Sequence, residues 1–141
     1  MQPRKSQAVW CGTLKGGSGS MTVGANKYTA EYSFGTRFED REGSNPEELI
    51  AAAHAGCYSM ALAGAVGDAG HQPKHVGTVA TVHLAAADDG FAISRIDLMT
   101  EAEIDGLEND EFQKLARNAK ENCPVSKALA GVEITLAATL V

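Results

Sequence analysis

Ser44-Asn45-Pro46-Glu47-Glu48-Leu49-Ile50-Ala51-Ala52-Ala53-His54-Ala55-Gly56-Cys57 is the stretch on which the fold turns. Helix start signals converge at its beginning. Asn45 suits the N-cap, where a side-chain oxygen can accept an otherwise orphaned backbone N–H. Pro46 suits the first helical position, having no N–H to lose there, and Glu47 and Glu48 sit at the positive end of the helix dipole. The helix is expected to run to about Val66, before Gly67-Asp68-Ala69-Gly70 ends it. Its length is then about 30 Å. Apolar residues lie on all its sides, so other elements should wrap it.

Leu49 to Gly67 contains no acidic or basic residue and has the look of a membrane span. Composition argues for a buried core helix instead. Alanine and glycine dominate, His54, Tyr58 and Ser59 interrupt, and no Lys/Arg or aromatic belt flanks the run. Its small residues, among them Ala53, Gly56, Ala61 and Gly64, let another backbone come close. A second copy of the same helix is one candidate partner, which makes a symmetric dimer attractive.

Upstream, Ala8-Val9-Trp10-Cys11, Met21-Thr22-Val23 and Tyr28-Thr29-Ala30-Glu31-Tyr32 are β-prone runs separated by glycine clusters, as in an antiparallel meander. A polar loop from Thr36 to Gly43 should follow. Downstream, Val76–Leu84 and Phe91–Thr100 flank an Asp88-Asp89-Gly90 turn and read as a second hairpin. Phe112, Leu115, Ala116 and Ala119 then recur at helical spacing. Asn122-Cys123-Pro124 restarts a short helix through Ala130, Gly131 ends it, and Val132 to Leu140 is a final strand. Strands and helices are not regularly alternated, so the expected class is α+β with antiparallel sheets. The 141 residues are expected to form a single domain, 1–141.

Twelve Lys+Arg against eighteen Asp+Glu give a formal charge of −6. The basic residues are scattered, which speaks against nucleic-acid binding. Met1 to Lys5 begins polar and basic without passing into an apolar signal core, so the expected location is cytoplasmic, without membrane association.

Three widely spaced cysteines, Cys11, Cys57 and Cys123, suit neither a disulfide framework nor a zinc site. On an apolar helix Cys57 reads first as a packing residue, because desolvation keeps a buried thiol protonated and the thiolate is the nucleophile. A reactive Cys57 needs a cation. Arg37, in Gly35-Thr36-Arg37-Phe38-Glu39, can supply one, although alone it reads as a surface arginine. Cys123 precedes Pro124 at the start of a short helix, where backbone N–H groups favour an anion. It reads nearly as well as a structural cap. Cys11, on a strand beside Trp10, reads as a packing thiol.

One buried cysteine and one at a helix start suit a thiol peroxidase, in which a thiolate takes oxygen from a peroxide and the second thiol condenses with the sulfenic acid. His54 could suggest a Cys–His nucleophile, but one helical face is not the geometry of an acyl-transfer dyad. His54 reads as a core or supporting histidine; His71, His75 and His83 read as loop or strand positions.

Thr36-Arg37-Phe38-Glu39, Asn45-Pro46-Glu47-Glu48 through Cys57, and Asn122-Cys123-Pro124-Val125-Ser126-Lys127 together resemble the osmotically inducible protein C and organic hydroperoxide resistance (OsmC/Ohr) family. The Thr-Arg-Phe triplet and the Ser-Lys pair look more like the OsmC branch. The resemblance implies that Cys57 is the peroxidatic cysteine and Cys123 the resolving one. Arg37 would hold thiolate and peroxide, and Glu47 would orient Arg37, with Glu48 a competing carboxylate that periodicity cannot separate from it. Cys11 matches no family role. It further implies an intertwined homodimer with sheets wrapped around two long central helices, organic hydroperoxides as substrates, a dithiol reductant such as dihydrolipoyl groups, and no metal, haem or flavin.

Glu47 and Cys57 are ten residues apart, about 15 Å along one straight helix. An arginine held by Glu47 is badly placed to touch Cys57 of the same helix. Arg37 and Glu47 of one chain are therefore expected to serve Cys57 of the other, with antiparallel central helices. Tyr58, Met60, Leu62 and Phe38 are candidate pocket walls that read equally as core. The competing classes are a non-catalytic stress-associated binding module, with Cys57 a packing residue, and a Cys-dependent hydrolase that survives loss of Cys123.

Overall fold

The computed structural model describes residues 1–141 in full. Contacts divide the chain into two compact units, Met1–Leu49 and Ile50–Val141.

In the first unit, β1 (Gln7–Cys11), β2 (Ser18–Val23) and β3 (Tyr28–Tyr32) form the expected antiparallel meander. Gly19 in β2 lies opposite both Trp10 and Tyr32. A Cβ there would come within 2.7 Å of the Trp10 ring and 2.8 Å of the Tyr32 ring, so only glycine lets the two rings meet, at a centroid distance of 5.3 Å.

The expected loop at 36–43 begins instead inside a short helix, α1 (Phe34–Phe38). Ser33 caps it. The Ser33 hydroxyl accepts the Thr36 N–H and the Thr36 hydroxyl accepts the Ser33 N–H, a reciprocal box built with threonine where glutamate is usual. That box, and one turn of length, explain why the sequence reads as a loop there.

The long helix α2 (Pro46–Asp68) starts where the capping signals place it, with the Asn45 Oδ1 accepting the Glu48 N–H at 2.8 Å. From Ile50 onward it belongs to the second unit. Here β4 (Pro73–Ala87) and β5 (Gly90–Ile104) make a long antiparallel hairpin, followed by α3 (Asn109–Asn122), α4 (Pro124–Ala128) and β6 (Glu133–Leu140). The expectation of purely antiparallel sheets is corrected by β6, which pairs with β5 in parallel. A parallel neighbour needs a crossover connection rather than a tight turn, and α3 with α4 supplies it.

The core of this unit takes His54, Tyr58, Leu62 and Val66 from one stripe of α2, Ile96, Leu98 and Ala102 from β5, and Phe112, Ala116 and Ala119 from α3. The Tyr58 hydroxyl donates to the Ala116 carbonyl at 3.1 Å, so its buried polar atom is satisfied. Ser59 donates to Thr78, and Thr78 and Thr100 share a further hydrogen bond, tying α2 to β4 and β5.

The expectation that other elements wrap α2 holds for this stripe only. On the opposite side Ala53, Gly56, Met60, Gly64 and Gly67 are exposed, with Met60 at 79%, and Cβ atoms built on the three glycines would meet nothing within 4 Å. The second unit's remaining elements cover a single flank of the helix, so its all-round apolar character is unmatched within one chain.

Candidate active site

The residues singled out by sequence gather at two places, one in each unit. In the first, Arg37 points from α1 to the first turn of α2. Its Nη2 donates to Glu47 Oε1 at 2.8 Å, and its Nε donates to Oε1 and Oε2 at 3.1 and 3.2 Å. The arginine fork thus meets the carboxylate through two donors, a geometry that fixes the guanidinium plane as well as its charge. Glu47 is buried and Glu48 exposed, which separates two acids that the sequence leaves level.

Arg37 also stands over the Phe38 ring, 5.3 Å from its centroid, and Phe34 and Phe38 pack at 4.9 Å. Together with Trp10, Leu14 and Tyr32 these residues border a cleft of about 400 Å³. Of the candidate walls only Phe38 lines it. Tyr58 and Leu62 are fully buried core residues, and Met60 lies on the open face of α2. Trp10, Leu14, Tyr32 and Phe34 went unrecognised because they come from separate strands and turns with no shared periodicity.

In the second unit, α2 presents Cys57 to Cys123, the residue that joins α3 to α4. Their sulfurs are 2.8 Å apart although the residues are 66 positions apart in sequence, and both are free thiols. Burial and the neighbouring Cys123 push the Cys57 thiol up from its ordinary value. Cys123 is also fully buried, which pushes its thiol up. Hydrogen bonding from Cys57, from the Ser126 backbone and hydroxyl, and from the Val125 backbone outweighs this and leaves it below the ordinary value. Within this unit Cys123 is therefore the easier of the two thiols to ionise.

His54, one turn before Cys57, is fully buried, and its Nε2 lies 2.7 Å from the Ser126 hydroxyl. Ser126 enters the sequence reading only as a branch marker, with no role at the site. Its signal was its position three residues after Cys123, where a helical turn brings it back beside the sulfur. Cys11 is exposed at the end of β1. No group of three or more His, Cys, Asp or Glu side chains is arranged to hold a metal ion.

The profile described as OsmC-like protein matches residues 39–137. The chain belongs to the OsmC family. It is 44% identical over 134 residues to "Peroxiredoxin OsmC" of Escherichia coli (strain K12), covering 94% of this chain and 93% of that protein. Identity to the "Organic hydroperoxide resistance protein" of Xanthomonas axonopodis pv. citri (strain 306) is 33% over 97 residues, 67% of this chain and 66% of that one. The higher figure agrees with the OsmC branch suggested by Thr36-Arg37-Phe38 and Ser126-Lys127. An OsmC-like protein of Mycoplasma pneumoniae has the same fold, with a TM-score of 0.76 at 16% identity, covering 99% of this chain and 98% of that one.

Proposed function

We propose that this OsmC-family protein is a thiol-dependent peroxidase that reduces organic hydroperoxides to alcohols. The observation that carries the reading is the approach of Cys57 and Cys123, 66 positions apart in sequence, to 2.8 Å. The Cys57 thiolate attacks the peroxide O–O bond, becomes a sulfenic acid and releases an alkoxide that takes up a proton. The Cys123 thiolate then attacks the Cys57 sulfur, the S–O bond breaks, and hydroxide leaves as water once protonated. A dithiol, such as a dihydrolipoyl group, reduces the resulting disulfide. The relative in Escherichia coli named a peroxiredoxin supports the same chemistry.

Cys57 needs a positive neighbour, and Arg37 is already oriented by Glu47 at an aromatic cleft. In this reading residues 1–141 act as one OsmC-like domain in the cytoplasm, and two copies form an intertwined homodimer. The open face of α2, with Gly56, Met60 and Gly64, packs against its antiparallel copy. Arg37 and Glu47 of one protomer then serve Cys57 of its partner. The apolar cleft favours alkyl hydroperoxides over hydrogen peroxide.

The test is mass-spectrometric disulfide mapping before and after one equivalent of cumene hydroperoxide. A Cys57–Cys123 bond formed in step with peroxide loss is the expected result. Peroxide left unconsumed, with both thiols still free, would overturn the proposal and leave the binding-module alternative.

A further inference from the structure

We propose that His54 and Ser126 form a buried hydrogen-bond chain that holds Cys123 as a thiolate for the disulfide-forming step, making both of them positioning residues for the resolving cysteine. The proposal rests on the peroxidase reading above and deepens it, since that reading gives these two residues no part.

The geometry sets the direction of the chain. His54 Nε2 lies 2.7 Å from Ser126 Oγ, and the other ring nitrogen, Nδ1, is buried without a partner. A buried N–H with no acceptor is a rarer and costlier arrangement than a bare lone pair. The ring proton therefore sits on Nε2 and is donated to Ser126. With its oxygen already accepting, the Ser126 hydroxyl turns its own proton outward to the Cys123 sulfur, one helical turn back along the chain, where it favours the thiolate. Ser126 is itself buried, so water does not compete for that hydroxyl.

His54 acts here without changing its charge. Burial lowers its pKa, which disfavours an imidazolium and hence a role as the base that removes the Cys123 proton. The titratable groups that interact electrostatically with Cys123 are Cys57 and Tyr58, both from α2. Tyr58 is pushed far up by burial and stays neutral. A cation beside Cys57 draws the negative charge there for peroxide attack, and that charge leaves with the alkoxide; the alkoxide takes up the Cys123 proton, and the His54–Ser126 chain stabilises the thiolate left on Cys123 while Cys57 is a sulfenic acid. In the disulfide-forming step the Cys123 sulfur supplies the electron pair of the new S–S bond, the S–O bond breaks, and hydroxide departs as water once protonated.

The test has two arms. In a Cys11→Ser, Cys57→Ser background, which cannot act as a peroxidase, thiolate absorbance titrates Cys123 alone. Its midpoint should rise on Ser126→Ala and on His54→Leu, and return towards the parent value with His54→Gln, which keeps an N–H donor. With Cys57 present, stopped-flow mixing with one equivalent of cumene hydroperoxide separates sulfenic-acid formation from disulfide closure. Closure at neutral pH should slow about tenfold in Ser126→Ala and His54→Leu, the size expected for losing a hydrogen bond to a charged group. Should Ser126→Ala fail to fold, the His54→Leu and His54→Gln pair decides the matter. An unchanged midpoint, or His54→Gln titrating like His54→Leu, overturns the inference. A parent protein that consumes no peroxide sinks the peroxidase reading instead, and the titration arm still judges the chain.

Discussion

Glu47 grips Arg37 through two guanidinium donors, the shortest contact being 2.8 Å, while Glu48, its neighbour in the same helical turn, faces solvent. Glu47→Gln keeps the volume but weakens the charged fork, and peroxidase turnover should fall about a hundredfold as the guanidinium loses its set position. Glu48→Gln touches only the helix dipole and should cost about 0.5 kcal/mol of stability with turnover unchanged. Steady-state assays and thermal melts on the two variants make the comparison. Equal losses of turnover would refute the assignment.

The pH profile of Arg37→Met is a second test. Burial and Cys123 push the Cys57 thiol above its ordinary value, so without a cation its thiolate is scarce at neutral pH. Sulfenic-acid formation in Arg37→Met should rise about tenfold per pH unit through neutrality. In the parent protein it should level off at lower pH, because an adjacent positive charge lowers a thiol's pKa. Two superimposable profiles would remove Arg37 from the mechanism.

The three cysteines should separate by stoichiometry. Cys57→Ser should consume no hydroperoxide and Cys123→Ser one equivalent before stalling. Cys11→Ser should turn over like the parent, since Cys11 is an exposed thiol for which the proposed mechanism has no role. Peroxide consumption against enzyme concentration reads all three.

Gly64→Leu probes the open face of α2. A Cβ at Gly64 would meet nothing within 4 Å, so the single chain should accept the larger residue, and leaving glycine should favour the helix by about 1 kcal/mol. Two helices that approach through small residues would be forced apart. Sedimentation should show a folded monomer and assays a loss of turnover; a fully active dimer would contradict the proposed packing.

Acid stability follows from Asp97, whose carboxylate accepts Thr135 Oγ1 at 2.6 Å, pairs with His83 at 2.7 Å and accepts Arg95 Nε at 2.9 Å. These contacts join all three strands of the second sheet and hold Asp97 down from 3.8 to about 2, the hydrogen bond from Thr135 contributing most. A carboxylate with a depressed folded pKa stabilises the protein above its unfolded pKa and loses that contribution as pH falls through the folded one. Asp97→Asn should therefore flatten the fall in melting temperature between about pH 4 and pH 2. An unchanged slope would show that these contacts do not couple to folding.

What could be read from sequence follows from how local each signal is. The start of α2 was legible because Asn45, Pro46 and Glu47 act within one turn, and the meander because glycines punctuate β-prone runs. The direction of β6 was not, since parallel pairing is a property of the crossover rather than of residues 133–140. The helix at Arg37 was hidden by a capping box that uses Thr36. The site divides in the same way. The surroundings of Cys57 and Cys123 left packing and capping roles open, and it was the motif resemblance that singled them out, whereas the meeting of His54 with Ser126 joins positions 72 residues apart and leaves no local trace.

Closing a bond between Cys57 and Cys123 would also tie a loop of 66 residues, spanning the long hairpin and α3. Constraining a loop of that length in the unfolded chain is worth about 4 kcal/mol on entropic grounds. The oxidised form should therefore melt at a higher temperature than the reduced one. Oxidant stress would then toughen the very molecule it consumes, keeping spent copies intact until a thiol donor restores them.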